Sequence, residues 1–338
     1  MIKSLSNDDL DYEYITFDID THYINALRRI LYSKSLGSCF DQKDIAIVEN
    51  NTMMNNEILR HRISLIPIKT EYNLTCELVI KNTSNKLLNV YSNDITILKG
   101  EGKGKIKKNL LIIQLKPDEK IHMKMNSSKY SGSKSTIYRP FSICHFKIFK
   151  IIYLKKNLKK KINLNLNIYK NDLEKFEKIK NYEIYGYTSD IRDYTDPLAK
   201  ILNKDDYVIK EAFYNNKPIY SFNIELFFKE NNFIKKGLLL LIHDIKNFLN
   251  KKIEIIPDKN ENKTILKIHE EDYGLLNLLS KEIRNNKNIK YCAYNKKHPL
   301  DDFIFLEYIT EYPNKNYYNI VYKNINDIVN YINDIEII

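Results

Sequence analysis

Hydrophobic side chains recur every three or four residues in several segments of the chain, the spacing that places them on one face of an α-helix. This pattern predicts helices over residues 21–33, 56–62, 233–249, 275–283 and 321–335. In the last segment the apolar residues keep intervals of four and three and form a continuous stripe: Val321, Ile325, Ile328, Ile332 and Ile335. Such stripes need an apolar partner surface.

Two residues mark the ends of the first predicted helix. Thr21 is of the type that caps a helix start, because its hydroxyl can accept a hydrogen bond from a free backbone amide. Gly37 stands just beyond the last apolar residue, where a glycine often closes a helix. We therefore expect Thr21 at the N-cap and Gly37 after the end.

Other segments alternate apolar and polar residues, as strands with one buried face do. These predicted strands are residues 14–19, 45–49, 220–226, 264–268 and 303–308. Between residues 69 and 217, short alternating runs are separated by clusters of Asn, Ser, Gly and Lys; the runs are 74–80, 87–90, 110–115 and 162–168. We predict an α+β chain with a first domain (1–68 and 218–250), a β-rich inserted domain (69–217) and a second domain (251–338).

An internal repeat links the two ends of the chain. The pattern Asp-x4-Asn-x-Leu occurs twice at the start of a predicted helix, with a constant offset of 252 residues: Asp20, Asn25 and Leu27, then Asp272, Asn277 and Leu279. Asp can cap the helix, Asn can bond nearby backbone and Leu can face a core. We therefore expect two related units that pack as a pseudo-symmetric dimer within one chain. The helices over 233–249 and 321–335 would meet there through Leu238, Ile242, Ile325, Ile328 and Ile332.

Composition narrows the class of protein. With 338 residues, 43% of them hydrophobic, the chain can form about two globular units. Its 54 basic and 43 acidic residues give a net charge of +11, which favours anionic partners without identifying one. The four cysteines are too far apart in sequence for a zinc motif or a disulfide framework. We expect an intracellular protein in a reducing compartment, with no membrane association, no metal and no cofactor.

Several motifs carry a resemblance to a known family. Residues 25–31 (NALRRIL), 48–50 (VEN) and 61–68 (HRISLIPI) are similar to the signature of the alpha-like subunits of multisubunit DNA-directed RNA polymerases. That family comprises bacterial alpha, archaeal D and the third subunit of eukaryotic RNA polymerase II. Residues 271–279 (EDYGLLNLL) and 294–300 (YNKKHPL) resemble motifs of the partner subunit, archaeal L or the eukaryotic eleventh subunit.

The resemblance implies two alpha-like dimerisation units, each of strands and amphipathic helices, fused in one chain as a pseudo-heterodimer with a β-rich insertion in the first unit. It implies a subunit without catalytic activity that gathers the largest and second-largest polymerase subunits, together with small assembly subunits, for transcription. DNA and RNA would be met only through the complex. The fused arrangement is similar to that of large nucleocytoplasmic DNA viruses, and the Asn-, Ile- and Lys-rich composition would suit an AT-rich genome. A viral polymerase of this kind would work in the host cytoplasm.

The resemblance also implies contacts with other subunits. In the family, the segment that matches Arg28 and Arg29 faces the second-largest subunit, and arginine forms the bidentate and stacked contacts that suit interfaces. Arg62 receives the same interpretation, with a local bond to Glu57 as the alternative. The family's four-cysteine zinc loop is absent, and Tyr273, Gly274 and Leu276 replace His, Thr and Gly of the family's second motif.

Two other classes of function are considered. A stand-alone nucleic-acid-binding protein would use the positive charge, including the lysine run within residues 155–161. A nucleotidyltransferase would use Asp18 and Asp20 as a metal-binding pair, although a role at the end of a strand explains these two residues more simply.

Overall fold

The computed structural model describes residues 1–8, 10–70, 73–100, 104–156, 180–188, 203–230, 232–248, 250, 253–256, 258, 262–269, 273–312 and 317–337. The helices are α1 (Thr21–Lys34), α2 (Asn56–Ser64), α3 (Phe233–Phe248), α4 (Tyr273–Asn285) and α5 (Tyr317–Asn333). Each predicted helix is present, because its apolar stripe is long enough to fix the helical period. None of the described helices has the length and apolar character needed to cross a membrane.

The strands, in chain order, are β1 (Ile2–Asp8), β2 (Asp11–Thr16), β3 (Leu36–Asn50), β4 (Ile68–Thr70), β5 (Thr75–Lys81), β6 (Leu88–Tyr91), β7 (Thr96–Lys99), β8 (Gly104–Ile106), β9 (Leu111–Leu115), β10 (Lys120–Ser131), β11 (Phe141–Ile148), β12 (Lys150–Lys155), β13 (Tyr182–Thr188), β14 (Tyr207–Glu211), β15 (Phe213–Tyr214), β16 (Lys217–Pro218), β17 (Tyr220–Leu226), β18 (Ile253–Ile256), β19 (Lys263–His269), β20 (Ile289–Asn295) and β21 (Phe303–Thr310). The strand predicted over 162–168 lies outside the described residues.

The chain divides into two compact units. The first unit comprises Met1–Ile30, Cys144–Ile224 and Asn232–Ile338. It holds a sheet in the order β1-β2-β17-β11, a sheet in the order β18-β19-β21-β20 and a small sheet β13-β12-β14. One of its hydrophobic clusters joins Ile15 and Phe17 to Phe149, Ile151 and Ile219.

The second unit comprises Leu31–Ile143 and Glu225–Asn231. Its main sheet has the order β7-β5-β10-β3-β4-β8, and β6 pairs with β9. The helix α2 places Leu59 and Ile63 in the core of this unit, and both side chains are fully buried. The side chain of Asn55 caps α2 by accepting a hydrogen bond from the Glu57 amide at 2.9 Å.

The compact units divide the chain at other positions than the predicted domains. Residues 31–68 were expected with the first domain, but β3 pairs along its length with β10, from Leu36 opposite Ser131 to Asn50 opposite Ile121. Residues 144–217 were expected in the insertion, but Phe149 shares a core with the first strands of the chain. Local alternation does not reveal which strands pair across such distances in sequence.

Two local predictions are wrong. Gly37 lies within β3 and does not close a helix. Its role is to leave space for the backbone of Tyr138, because a Cβ at this position would stand 1.9 Å from the Tyr138 carbonyl oxygen. Thr21 is the first residue of α1, and its hydroxyl is hydrogen-bonded to the hydroxyl of Tyr220. The Asp20 carbonyl accepts hydrogen bonds from the amides three and four positions later, at 3.0 Å from Tyr23 and 3.4 Å from Ile24, so Asp20 holds the cap position.

Candidate functional site: an intrachain interface

Helices from the two ends of the chain meet inside the first unit. We call its residues up to Phe248 the first half and its residues from Ile253 onward the second half. The first half contributes α1 and α3, and the second half contributes α4 and α5. The helices α3 and α5 contact each other, as predicted, and α5 also contacts α4. We call the surface where α1 and α3 meet α4 and α5 the intrachain interface.

The centre of the intrachain interface is apolar and closely packed. Its main cavity measures about 10 Å³, which is about the space of one water molecule. Residues of both halves line this cavity, among them Ile24, Leu27, Leu238, Leu241, Ile332 and Ile335. A space of this size holds no small-molecule substrate, so the surface serves packing.

The structure places the predicted dimerisation residues in different surroundings. Leu27, Leu238 and Ile332 line the central cavity. Ile325 and Ile328 are buried on α5, and Leu279 is buried on α4. Ile242 is half-buried. The two repeat asparagines are also half-buried, and Asn25 accepts a hydrogen bond from Arg28 at 2.9 Å. Asp272 lies outside the described residues.

A polar cluster links α1 to α4 beside the apolar centre. His22 Nε2 lies 2.8 Å from Glu282 Oε1, with side-chain exposures of 15% and 18%. Burial by itself would raise the pKa of the Glu282 carboxyl, but the hydrogen bond and charge of His22 and the hydrogen bond from Tyr23 outweigh burial and lower the pKa. A carboxylate held in this way fixes the relative position of the two helices.

Tyrosines form a second link, between α1 and α5. The rings of Tyr23 and Tyr331 have their centroids 4.3 Å apart, and the Tyr331 hydroxyl donates to the Asp18 carbonyl at 2.9 Å. Lys217 Nζ lies 3.4 Å from Asp18 Oδ1 and 3.0 Å from Asp20 Oδ2. An ammonium group thus compensates both carboxylates that the nucleotidyltransferase hypothesis needs for metal ions. Among the described residues no group of His, Cys, Asp and Glu side chains could hold a metal.

The structure places the three predicted partner-binding arginines in different surroundings. Arg28 is half-buried near Cys144. Burial raises the pKa of the Cys144 thiol to about 12, although the positive charge of Arg28 acts to lower this pKa. Arg29 is half-buried and packs against Gly274 at the start of α4. Arg62 is exposed on α2 and donates to the Leu111 carbonyl at 2.9 Å, in place of the suggested bond to Glu57. Their contacts with other subunits stay predictions.

The end of the described chain adds a contact that the sequence analysis missed. Beyond α5, Ile337 forms a parallel bridge with Ile2, and the Ile2 amide donates to the Glu336 carbonyl at 2.7 Å. The second half thereby pairs with the first residue of β1 at the open edge of that strand. The only local signal is the polar and apolar alternation of residues 334–337, which is too short to predict a strand.

The described fold is of the α+β class, and helices from both ends of the chain pack together in its first unit. Residues 263–337, which include β19, α4, β20, β21 and α5, match the RNA polymerase Rpb3/Rpb11 dimerisation domain. A stretch of 120 residues is 35% identical to DNA-directed RNA polymerase subunit Rpo3 of Methanocaldococcus jannaschii and covers 35% of this chain. The match spans 60% of the length of that relative. Both findings support an alpha-like RNA polymerase subunit.

Proposed function

We propose that this protein is a fused alpha-like subunit that gathers the largest and second-largest subunits of a DNA-directed RNA polymerase and has no catalysis of its own. One observation carries the proposal. The helices α1 and α3 pack around one apolar cavity with α5 and around a second small cavity with α4, and both α4 and α5 lie in the segment that matches a dimerisation domain. In this account the chain supplies both members of a heterodimer.

Fusion has a physical consequence for assembly. Two separate subunits must meet in solution, whereas two halves of one chain meet at an effective concentration of roughly millimolar. The paired surface therefore persists at any dilution at which the chain stays folded. A polymerase built on it would need one chain where other assemblies need two.

An exposed patch on the second unit has the composition of a protein interface. Arg62 stands at its centre, and Ile58 and Leu65 flank it on the same side of α2, with exposures of 55% and 53%. Leu111, whose carbonyl Arg62 binds, is 42% exposed and pairs with Tyr91 across β6 and β9. Arginine and aromatic residues amid aliphatic ones are typical of binding hot spots. We propose that this Arg62 patch docks the second-largest subunit.

Co-expression of the full chain with both large subunits tests the proposal. A tag on this chain should recover both, and Arg62→Ala should reduce the recovery of the second-largest subunit at least tenfold. Arg60→Ala is the matched control, since Arg60 lies on the same helix and also donates to a carbonyl, that of Ile45 at 3.2 Å, away from the patch.

Two outcomes would contradict the proposal. Equal recovery of the large subunits by both variants would remove the Arg62 patch from the interface. Recovery of DNA or RNA alone, lost at raised salt, would favour a stand-alone nucleic-acid-binding protein.

A further inference from the structure

Equivalent positions of the two halves face each other across the intrachain interface. The offset of 252 residues in the internal repeat relates His22 to Gly274 and Ile30 to Glu282. His22 contacts Glu282, and Gly274 lines a second small cavity together with Ile30. His22 of the first half thus faces Glu282 of the second half, and the equivalent residue Gly274 of the second half faces Ile30 of the first half. This reciprocity is the mark of contact across a two-fold axis.

The two reciprocal contacts differ in chemistry. One is the imidazole–carboxylate pair of His22 and Glu282, mostly buried. The other is a steric contact in which the Arg29 side chain packs directly on the Cα of Gly274. A Cβ built on Gly274 would lie 2.5 Å from Nε and 2.8 Å from Cδ of Arg29. The Arg29 side chain thus uses space that glycine leaves free and any larger residue would take.

Pairing of two like halves would break both contacts. Two first halves would place His22 where Gly274 lies, so the imidazole would overlap Arg29 and would lose its contact with Glu282. Two second halves would place Glu282 opposite Gly274 and leave two mostly buried carboxylates without the imidazole, which is costly. The unlike pairing satisfies both positions.

We propose that His22, Arg29, Gly274 and Glu282 make the two halves select each other and reject a second copy of the same half. The partner that α1 fits is a helix with glycine in its first turn and glutamate eight residues later. This inference rests on the proposed function, in which the halves pair as dimerisation units. It adds the residues that decide which pairing forms.

Thermal unfolding of the intact chain tests the steric contact between Arg29 and Gly274. Alanine normally stabilises a helix relative to glycine, but Gly274→Ala should lower the melting temperature because the new Cβ meets Arg29. Adding Arg29→Ala should recover most of the loss. A higher melting temperature for Gly274→Ala in the presence of Arg29 would overturn this part of the proposal, and so would the absence of recovery in the double variant.

A nicked chain tests the selection itself. A protease site inserted between Asn250 and Ile253 allows the folded, purified full chain to be cut without removing either fragment. The cut chain is incubated with an isotope-labelled cut copy until labelled and unlabelled fragments exchange, and native mass spectrometry then identifies the pairs. We expect one first-half fragment with one second-half fragment. Like pairs in comparable amounts would overturn the proposal. Complete separation of the fragments, with no pairing of any kind, would instead contradict the proposed function and leave the selection without its basis.

A variant designed to make first halves pair with each other gives the sharpest comparison. Ile30→Glu together with Arg29→Ala gives the first half its own carboxylate at the position equivalent to Glu282 and removes the arginine in the way of His22. In the nicked chain this variant should form pairs of first halves. The matched control, Ile30→Gln with Arg29→Ala, should not. Equal amounts of like pairs in both variants, or none in the glutamate variant, would overturn the proposal.

Discussion

Truncation of Leu238 should loosen the intrachain interface, whereas truncation of its neighbour should not. Leu238 and Leu239 are consecutive leucines on α3 with different surroundings. Leu238 is 7% exposed and lines the central cavity together with Ile332 of the second half, and Leu239 is 57% exposed. The pair therefore compares the same chemical change inside and outside the interface.

The structure sets the size of the expected effect. Leucine to alanine removes three carbon atoms, and at ~0.8 kcal/mol per buried CH₂ the transfer cost is about 2 kcal/mol. Incomplete closure of the new void brings such changes to about 2–5 kcal/mol. Since the cavity beside Leu238 is only about 10 Å³, the void would be largely new. We expect a loss of about 3 kcal/mol for Leu238→Ala and under about 1 kcal/mol for Leu239→Ala.

Native-state hydrogen exchange measures this effect in the right place, because a chain with two compact units need not unfold in one step. A loss of about 3 kcal/mol corresponds to roughly a hundredfold faster exchange through opening of the interface. Leu238→Ala should accelerate the amides of both α3 and α5, and Leu239→Ala should change neither by more than about fivefold. Faster amide exchange in α3 without faster exchange in α5, or equal effects of the two variants on exchange, would refute the account of the interface.

Further predictions concern charge, backbone fit and thiol chemistry. Because the folded chain lowers the pKa of Glu282 below its ordinary 4.5, the carboxylate contributes stability above about pH 4.5 that is lost as the pH falls below it. Glu282→Gln should therefore flatten the fall of urea midpoints between about pH 6 and 3, and an unchanged slope would contradict the role of His22. Gly37→Ala should cost the second unit about 2 kcal/mol or more, since the Cβ would meet the Tyr138 carbonyl at 1.9 Å; an unaltered thermal melt would contradict that contact. The four cysteines are buried, and burial raises their pKa to between about 11 and about 12. Iodoacetamide should thus label them only after unfolding, and rapid labelling of the native chain would be the opposing result.

Sequence periodicity was sufficient for the apolar part of the interface. Leu27, Leu238 and Ile332 belong to stripes that repeat every three or four residues, and such a stripe identifies the buried face without reference to the partner helix. The internal repeat located the two helix starts, α1 and α4. The structure confirms the helices and the contact of α3 with α5.

The polar part of the interface was not accessible to the same reasoning. His22 and Glu282 are separated by 260 residues, and nothing local to either of them indicates the other. Arg29 packs against Gly274, and this contact depends on the angle between two helices, which the sequence does not reveal. The pairing of β3 with β10 was inaccessible for a similar reason, since it depends on register over many residues.

The most direct measurement of the central claim is the subunit composition of the native complex. The tagged chain would be recovered from its native source at moderate salt, and its partners would be quantified by mass spectrometry. The account predicts two very large polymerase subunits and one copy of this chain, with no separate eleventh-type subunit. Recovery of the chain alone, or of a complex that contains a separate eleventh-type subunit, would contradict it.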